Sequence, residues 1–173
     1  MKPQDISYWF TRGIYLFGLA LILTAAIDLF TTVWPLRPTD IAWRYGFLGL
    51  TAGYLQTPTL GLLIIALTAA WQRQPIVLRI AGLASLGGAL VLLPAMGMFA
   101  LDVLQIRELR AAEGQATVLA GGIFQEVKYL IAFLVLAFLG YGSVKTASEL
   151  SYLLALTGER EGPGIVAAPR PVD

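Results

Sequence analysis

The chain has 173 residues, 57% of them hydrophobic and 13% charged, with a formal net charge of +1. A soluble domain carries roughly 25% charged residues, so this composition excludes an ordinary soluble fold and points to a membrane protein; the near-neutral balance gives no electrostatic case for nucleic acid. Cysteine and histidine are both absent, which excludes disulfides, thiol nucleophiles, thiolate or imidazole metal sites and every histidine-based triad or proton relay.

In chain order, Trp9 and Phe10 beside Arg12 form an interfacial anchor, with rings at the headgroups and a cation nearby. The apolar run 14–34 is the first predicted span, roughly 20 residues and enough for a ~30 Å hydrocarbon core. It is too long for the apolar core of a signal peptide, and no small-x-small site follows, so it reads as a retained span. Trp34 and Pro35 mark its exit. Asp28 is the one acid inside it. Two readings apply: an interfacial acid solvated by Thr24, Thr31 and Thr32, or an intramembrane contact to an ion or a partner.

Residues 36–38 form an extended connector between two prolines, and Thr39 and Asp40 are helix N-cap candidates. The stretch 41–56 is helical in pattern and rich in aromatics, including Trp43. From 41 to 71 the chain would run about 46 Å as one helix, too long for a perpendicular span. The expectation is an interfacial or steeply tilted helix, a break near Pro58, and a second span at 57–72. Gln56 at that break is a second candidate intramembrane polar contact. Gly46, Gly49, Gly53 and Gly61 suggest close helix contacts. Trp71 closes the span, and the short turn QRQP forces an antiparallel hairpin. Trp9, Trp34, Trp43 and Trp71 are the expected interfacial anchors.

The third span is predicted at 79–101. Ala81, Ser85 and Ala89 recur every four residues, with Ala84 and Gly88 as a second pair, a stripe that lets another helix approach. Pro94 is expected to kink this span, and Met96 and Met98 read as packing residues. In 102–128, Leu101, Leu104, Leu109, Ala112, Ala116, Leu119 and Ile123 recur at three- and four-residue spacing, which predicts a second amphipathic interfacial helix with its turn at Gly121 and Gly122. The charges Arg107, Glu108, Arg110 and Glu113 form either a solvated face or a docking face. The fourth span is predicted at 127–145, with a helical extension to residue 156. The tail 158–173, rich in Pro, Gly and Ala, is expected to be disordered.

The expected fold is therefore an all-α, polytopic integral membrane protein with four transmembrane helices, plus amphipathic helices in the first and third connections, in a single domain of residues 1–157. The motifs GxGxxG, Walker A, HExxH, GxSxG and the EF-hand loop are absent, and no two acids form a dyad within a span. The chain reads as a non-enzyme with no cofactor, although pigment or lipid contact stays open. The arginine and lysine distribution favours both termini in the cytoplasm of a bacterial inner membrane.

The stretch 40–67, with Asp40 and Trp43 before an amphipathic run and then Pro58, Gly61 and Leu62 opening a span, resembles the segment leading into span two of cyanobacterial HpsJ-like membrane proteins, associated with hormogonium polysaccharide biosynthesis. The order of four spans, with a polar helical stretch before the fourth, is similar too. The third connection here is brief and has no long coiled coil. The resemblance implies an accessory membrane protein of an envelope or polysaccharide system and carries over no catalytic residue. The expected function is a non-catalytic accessory or scaffold subunit of a larger membrane complex (envelope, photosynthetic or respiratory), with membrane lipids and other subunits as partners. The alternative is a small transporter or ion-conducting protein that uses Asp28.

Overall fold

In its computed structural model the protein is described over residues 3–156, with side chains from Trp9 onward. The tail 158–173 lies outside the described residues. The elements are α1 (Pro3–Val33), α2 (Ile41–Tyr54), α3 (Gln56–Trp71), α4 (Pro75–Glu108) and α5 (Ala112–Leu156). Four helical stretches are long and apolar enough to cross a membrane: Trp9–Val33, Ile41–Trp71, Pro75–Glu108 and Ala112–Leu156. The protein is an all-α, multi-pass membrane protein.

The second of these stretches is α2 and α3 together. Asp40 caps α2, its Oδ1 accepting from the Ala42 and Trp43 amides at 2.9 and 3.3 Å. Pro58 has no N–H for the Tyr54 carbonyl and its ring crowds the preceding turn. The helix breaks at Leu55, which keeps right-handed helical angles (φ −60, ψ −27), so the chain bends there without forming a loop. α2 does not lie free as an interfacial helix. Leu48 and Ala52 are buried with Phe99, Val103 and Tyr129 of the last two helices.

Between α3 and α4 the chain reverses in three residues. The Gln74 amide donates to the Ala69 carbonyl (2.9 Å) and the Arg73 amide to that of Ala70 (3.2 Å), the paired bonds of a Schellman cap. Arg73 occupies its left-handed position with φ 50, where a side chain costs roughly 1–2 kcal/mol and glycine nothing. Arg73→Gly is therefore expected to stabilise the protein by about 1 kcal/mol, read from the unfolding midpoint in mixed detergent micelles. Pro75 then opens α4 at its first turn.

The third connection differs from expectation. No separate amphipathic helix forms there, and Gly121 and Gly122 do not make the turn. α4 continues through Pro94 to Glu108, and α5 begins at Ala112. The reversal is the three residues 109–111, closed by bonds from the Arg110 amide to the Arg107 carbonyl and from the Gly114 amide to that of Ala111. Leu101, Leu104, Leu109 and Ile123, apolar positions of that predicted helix, are exposed, while Asp102, Val103 and Ile106 are buried. These helices associate through close packing and polar contacts rather than by turning an apolar stripe inward. Gly122 is used for that packing: a Cβ there would lie 2.6 Å from Val103 Cγ1. α4 has 34 residues, about 51 Å, so the hairpin outreaches a ~30 Å core.

The remaining crossings follow the same rule. A Cβ on Gly61 of α3 would sit 2.5 Å from the Gly18 carbonyl oxygen of α1, and one on Gly140 of α5 would sit 2.9 Å from the Gly82 carbonyl of α4. Backbone meets backbone at both points. Polar ties pin the far end of α1: Gln72 Nε2 donates to Thr11 Oγ1 (2.9 Å) and the Tyr15 hydroxyl to Gln74 Oε1 (3.0 Å).

Candidate functional site

The residues with most chemistry converge where α2 crosses the α4–α5 hairpin. Arg44 lies one turn into α2, directed by the Asp40 cap, and faces Asp102 on α4. Its Nη2 is 2.6 Å from Oδ1 and its Nε 3.2 Å from Oδ2, with Nη1 3.4 Å from the Pro38 carbonyl. Asp102 is 1% exposed. This is the forked pairing in which a guanidinium satisfies both oxygens of one carboxylate. Asp102 shares a stripe with Leu92, Ala95, Phe99 and Ile106, at steps of three and four, so its helix turns it inward with the core.

Aromatic rings extend the contact. Tyr45 stacks on Phe99 with centroids 5.5 Å apart, and Phe99 lies 6.0 Å from the ring of Tyr129. Tyr129 is fully buried, and its hydroxyl donates to the Leu48 carbonyl; a carbonyl has two lone pairs, so α2 accepts this bond without unwinding. Trp43 stacks on Phe47 at 5.2 Å, and its indole N–H donates to the Val33 carbonyl at 3.1 Å. α2 is thus tied to α1 by Trp43, to α4 by Arg44 and Tyr45, and to α5 through Leu48. Each Asp102 oxygen accepts one bond from the guanidinium and the side chain is closed off from solvent, so the pair ties α2 to α4.

The sequence-predicted residues lie elsewhere. Asp28 is on the outside of α1, exposed, and its carboxylate has no hydrogen-bond or ion-pair partner among the described residues. The threonines do not solvate it. The Thr31 hydroxyl donates to the backbone carbonyls of Ile27 and Asp28, that of Thr32 to the Asp28 carbonyl, and that of Thr24 to the Ala20 carbonyl. Each hydroxyl is used one turn back along its own helix. Gln56 is exposed beside the α2–α3 bend, far in role from Asp28. Ala81, Ser85 and Ala89 are buried and Gly88 is half-buried; the Ser85 hydroxyl is satisfied by the Ala81 carbonyl at 2.9 Å. Arg107, Glu108, Arg110 and Glu113 are all exposed at the hairpin tip. Trp9, Trp34 and Trp71 are exposed, with the Arg12 guanidinium 6.0 Å over the Trp9 ring. Trp43 is instead half-buried against α1, because its N–H finds the open carbonyl at that helix end.

Sequence reading missed Arg44 and Asp102 as a pair. They are 58 residues apart, and Asp102 was grouped with the polar stretch that follows it. Its place in the Leu92–Phe99–Ile106 stripe was the available signal. Also missed were Gln125 and Glu126 on α5, each with one buried, unpartnered side-chain oxygen. Glu126 lines an otherwise apolar groove of about 360 Å³ with Met96, Ala100, Leu104 and Leu130. Among the described residues no three His, Cys, Asp or Glu side chains converge as metal ligands. No protein-family model, no curated protein and no solved structure matches this chain.

Proposed function

We propose that the protein is a non-catalytic accessory or scaffold subunit of a larger bacterial membrane complex, and that it docks a partner helix through the outer face of α1. The observation that carries this reading is Asp28. Leu23, Ile27 and Phe30 are exposed around it, which is ordinary for residues facing lipid. A carboxylate on that face is not. It lies six residues before Trp34, about 9 Å along the helix from the exit of the span. Charged side chains at such depth pair with one another or face a protein interior. Among the described residues Asp28 does neither, so a cation on a partner helix is its natural complement.

The transporter reading is less well supported. Asp28 is on the outside of α1, and Asp102 is sealed in its ion pair, so the two carboxylates do not form a path through the bundle. The residues that resemble HpsJ-like proteins also favour an architectural role. Asp40 caps α2, Trp43 ties α2 to α1, Pro58 bends the second span and Gly61 admits α1. An envelope or polysaccharide system is the kind of complex this suggests, with respiratory and photosynthetic assemblies as the other settings. Lipids or pigments would contact the outer helix faces, and the charged hairpin tip at Arg107, Glu108, Arg110 and Glu113 offers a second docking face outside the bilayer. The cations near the termini and the α3–α4 turn favour a bacterial inner membrane with both termini cytoplasmic.

Purification in a gentle detergent tests this. The wild type is expected to co-migrate with a partner subunit. Asp28→Asn is expected to weaken that association by about 2 kcal/mol or more, roughly thirtyfold, and Asp28→Glu to retain it. A lone species whose ion flux in proteoliposomes is abolished by Asp28→Asn would overturn the scaffold reading.

A further inference from the structure

We infer that the groove between α3 and α5 is a binding site for one anionic phospholipid. This goes beyond the docking role of α1 and requires only that the helices span a membrane. α3 and α4 form one antiparallel hairpin and α4 and α5 another, so α3 and α5 run in the same direction. The groove between them holds about 270 Å³. At one end Gln56 and Thr59 on α3 and Lys128 on α5 line it beside Ala52 and Leu55, and it ends seven residues beyond Gln56 and Lys128 with Leu63 and Val135, past Ile131. The polar groups are thus at one end, and about 10 Å of apolar wall follows.

The polar end is at headgroup depth. Tyr129, next to Lys128, meets Phe99, and Phe99 is twenty residues along α4 from Arg79. That is about 30 Å, one hydrocarbon thickness, measured from the arginine at the opposite boundary. The groove therefore descends from the interface into the core, as an acyl chain does. Lys128 and Gln56 are exposed and have no hydrogen-bond or ion-pair partner among the described residues. An ammonium and an amide beside an apolar channel complement a phosphate with its acyl tail. A zwitterionic lipid brings its own cation beside the phosphate, so a net anionic headgroup compensates the lysine charge better.

The test uses the full chain, purified in detergent containing equal amounts of phosphatidylglycerol and phosphatidylcholine, with retained lipid read by native mass spectrometry. The wild type is expected to keep one phosphatidylglycerol in preference to phosphatidylcholine. Lys128→Gln should reduce that preference about fivefold, and Lys128→Arg should preserve it. Lys145→Gln, seventeen residues further along α5, should leave it unchanged, as should Asp28→Asn, which separates this site from the docking face of α1. Val135→Trp, which fills the apolar end, should reduce retention of the lipid. The inference is overturned if the wild type shows no preference, if Lys128→Gln retains it, if Lys145→Gln abolishes it equally, or if inorganic phosphate displaces the lipid.

Discussion

Asp102→Ala is expected to destabilise the protein by about 3 kcal/mol or more, measured as a shift in unfolding free energy in mixed detergent micelles. The side chain is 1% exposed and accepts from both Nε and Nη2 of Arg44. Its removal leaves a guanidinium committed to a site from which its counter-charge has gone, and that unpaired charge dominates the loss. Arg44→Ala should cost at least as much, because it strands a carboxylate that is 1% exposed, whereas the guanidinium is 26% exposed and can turn to solvent. The double variant Arg44→Leu/Asp102→Leu should recover most of the stability, since a packed apolar pair of similar volume often matches a buried ion pair. A strong positive coupling in this double-mutant cycle is the expected signature. A cost for Asp102→Ala within about 0.5 kcal/mol, the range of ordinary surface changes, would show that the pair does not hold α2 in place.

Gly61→Leu should have the second large effect, and a more local one. A Cβ at this position lies 2.5 Å from the Gly18 carbonyl oxygen and 2.9 Å from Ile22 Cγ1. Neither the backbone oxygen nor the branched side chain of a packed helix can yield, so α1 and α3 must separate. The cost should be about 3 kcal/mol, and Gly61→Ala should show part of it. α1 is long and apolar enough to remain in the membrane on its own, so the variant should lose the α1–α3 interface while the α4–α5 hairpin stays formed. Because the chain has no cysteine, a pair introduced at Thr11 and Gln72, which touch at 2.9 Å, reports this without background. A short bifunctional thiol reagent should link the pair in the parent and fail to do so with Gly61→Leu. A second pair across the hairpin at Gly88 and Leu136, where a Cβ on the glycine meets Leu136 Cδ1 at 3.5 Å, should link in both.

The parts of this fold that were legible in the sequence are those set by lengths and by backbone chemistry. Span number follows from hydrocarbon thickness. The α3–α4 hairpin follows from the shortness of QRQP, the α2 cap from Asp40, and the bend from the missing N–H of Pro58. What periodicity misplaced was the third connection: Leu101, Leu104 and Ile123 marked an amphipathic helix, yet they are exposed along two long helices, and the interior is lined by Asp102, Gly122 and Val103 instead. That Trp43 also ties α2 to α1 was not legible, because the sequence does not show that the Val33 carbonyl ends α1 beside it. Asp28 stood out because it interrupts an apolar run. Asp102 did not, because it sits where such a run ends, and its partner Arg44 is distant in the chain. Periodicity separates the two acids: Asp102 falls on the stripe of Leu92, Phe99 and Ile106, whereas Asp28 falls beside exposed Ile27 on a face that none of the described residues covers.

Docking through α1 is tested most directly by photo-crosslinking in native membranes, with a photoreactive amino acid at Ile27 and, for reference, at Val91, which is exposed on α4. Position 27 is expected to give one discrete adduct with a membrane polypeptide carrying an arginine or lysine at the crosslinked depth, lost with Asp28→Asn and kept with Asp28→Glu, while position 91 captures only lipid. Lipid adducts alone at position 27, or a polypeptide adduct indifferent to Asp28→Asn, would contradict it.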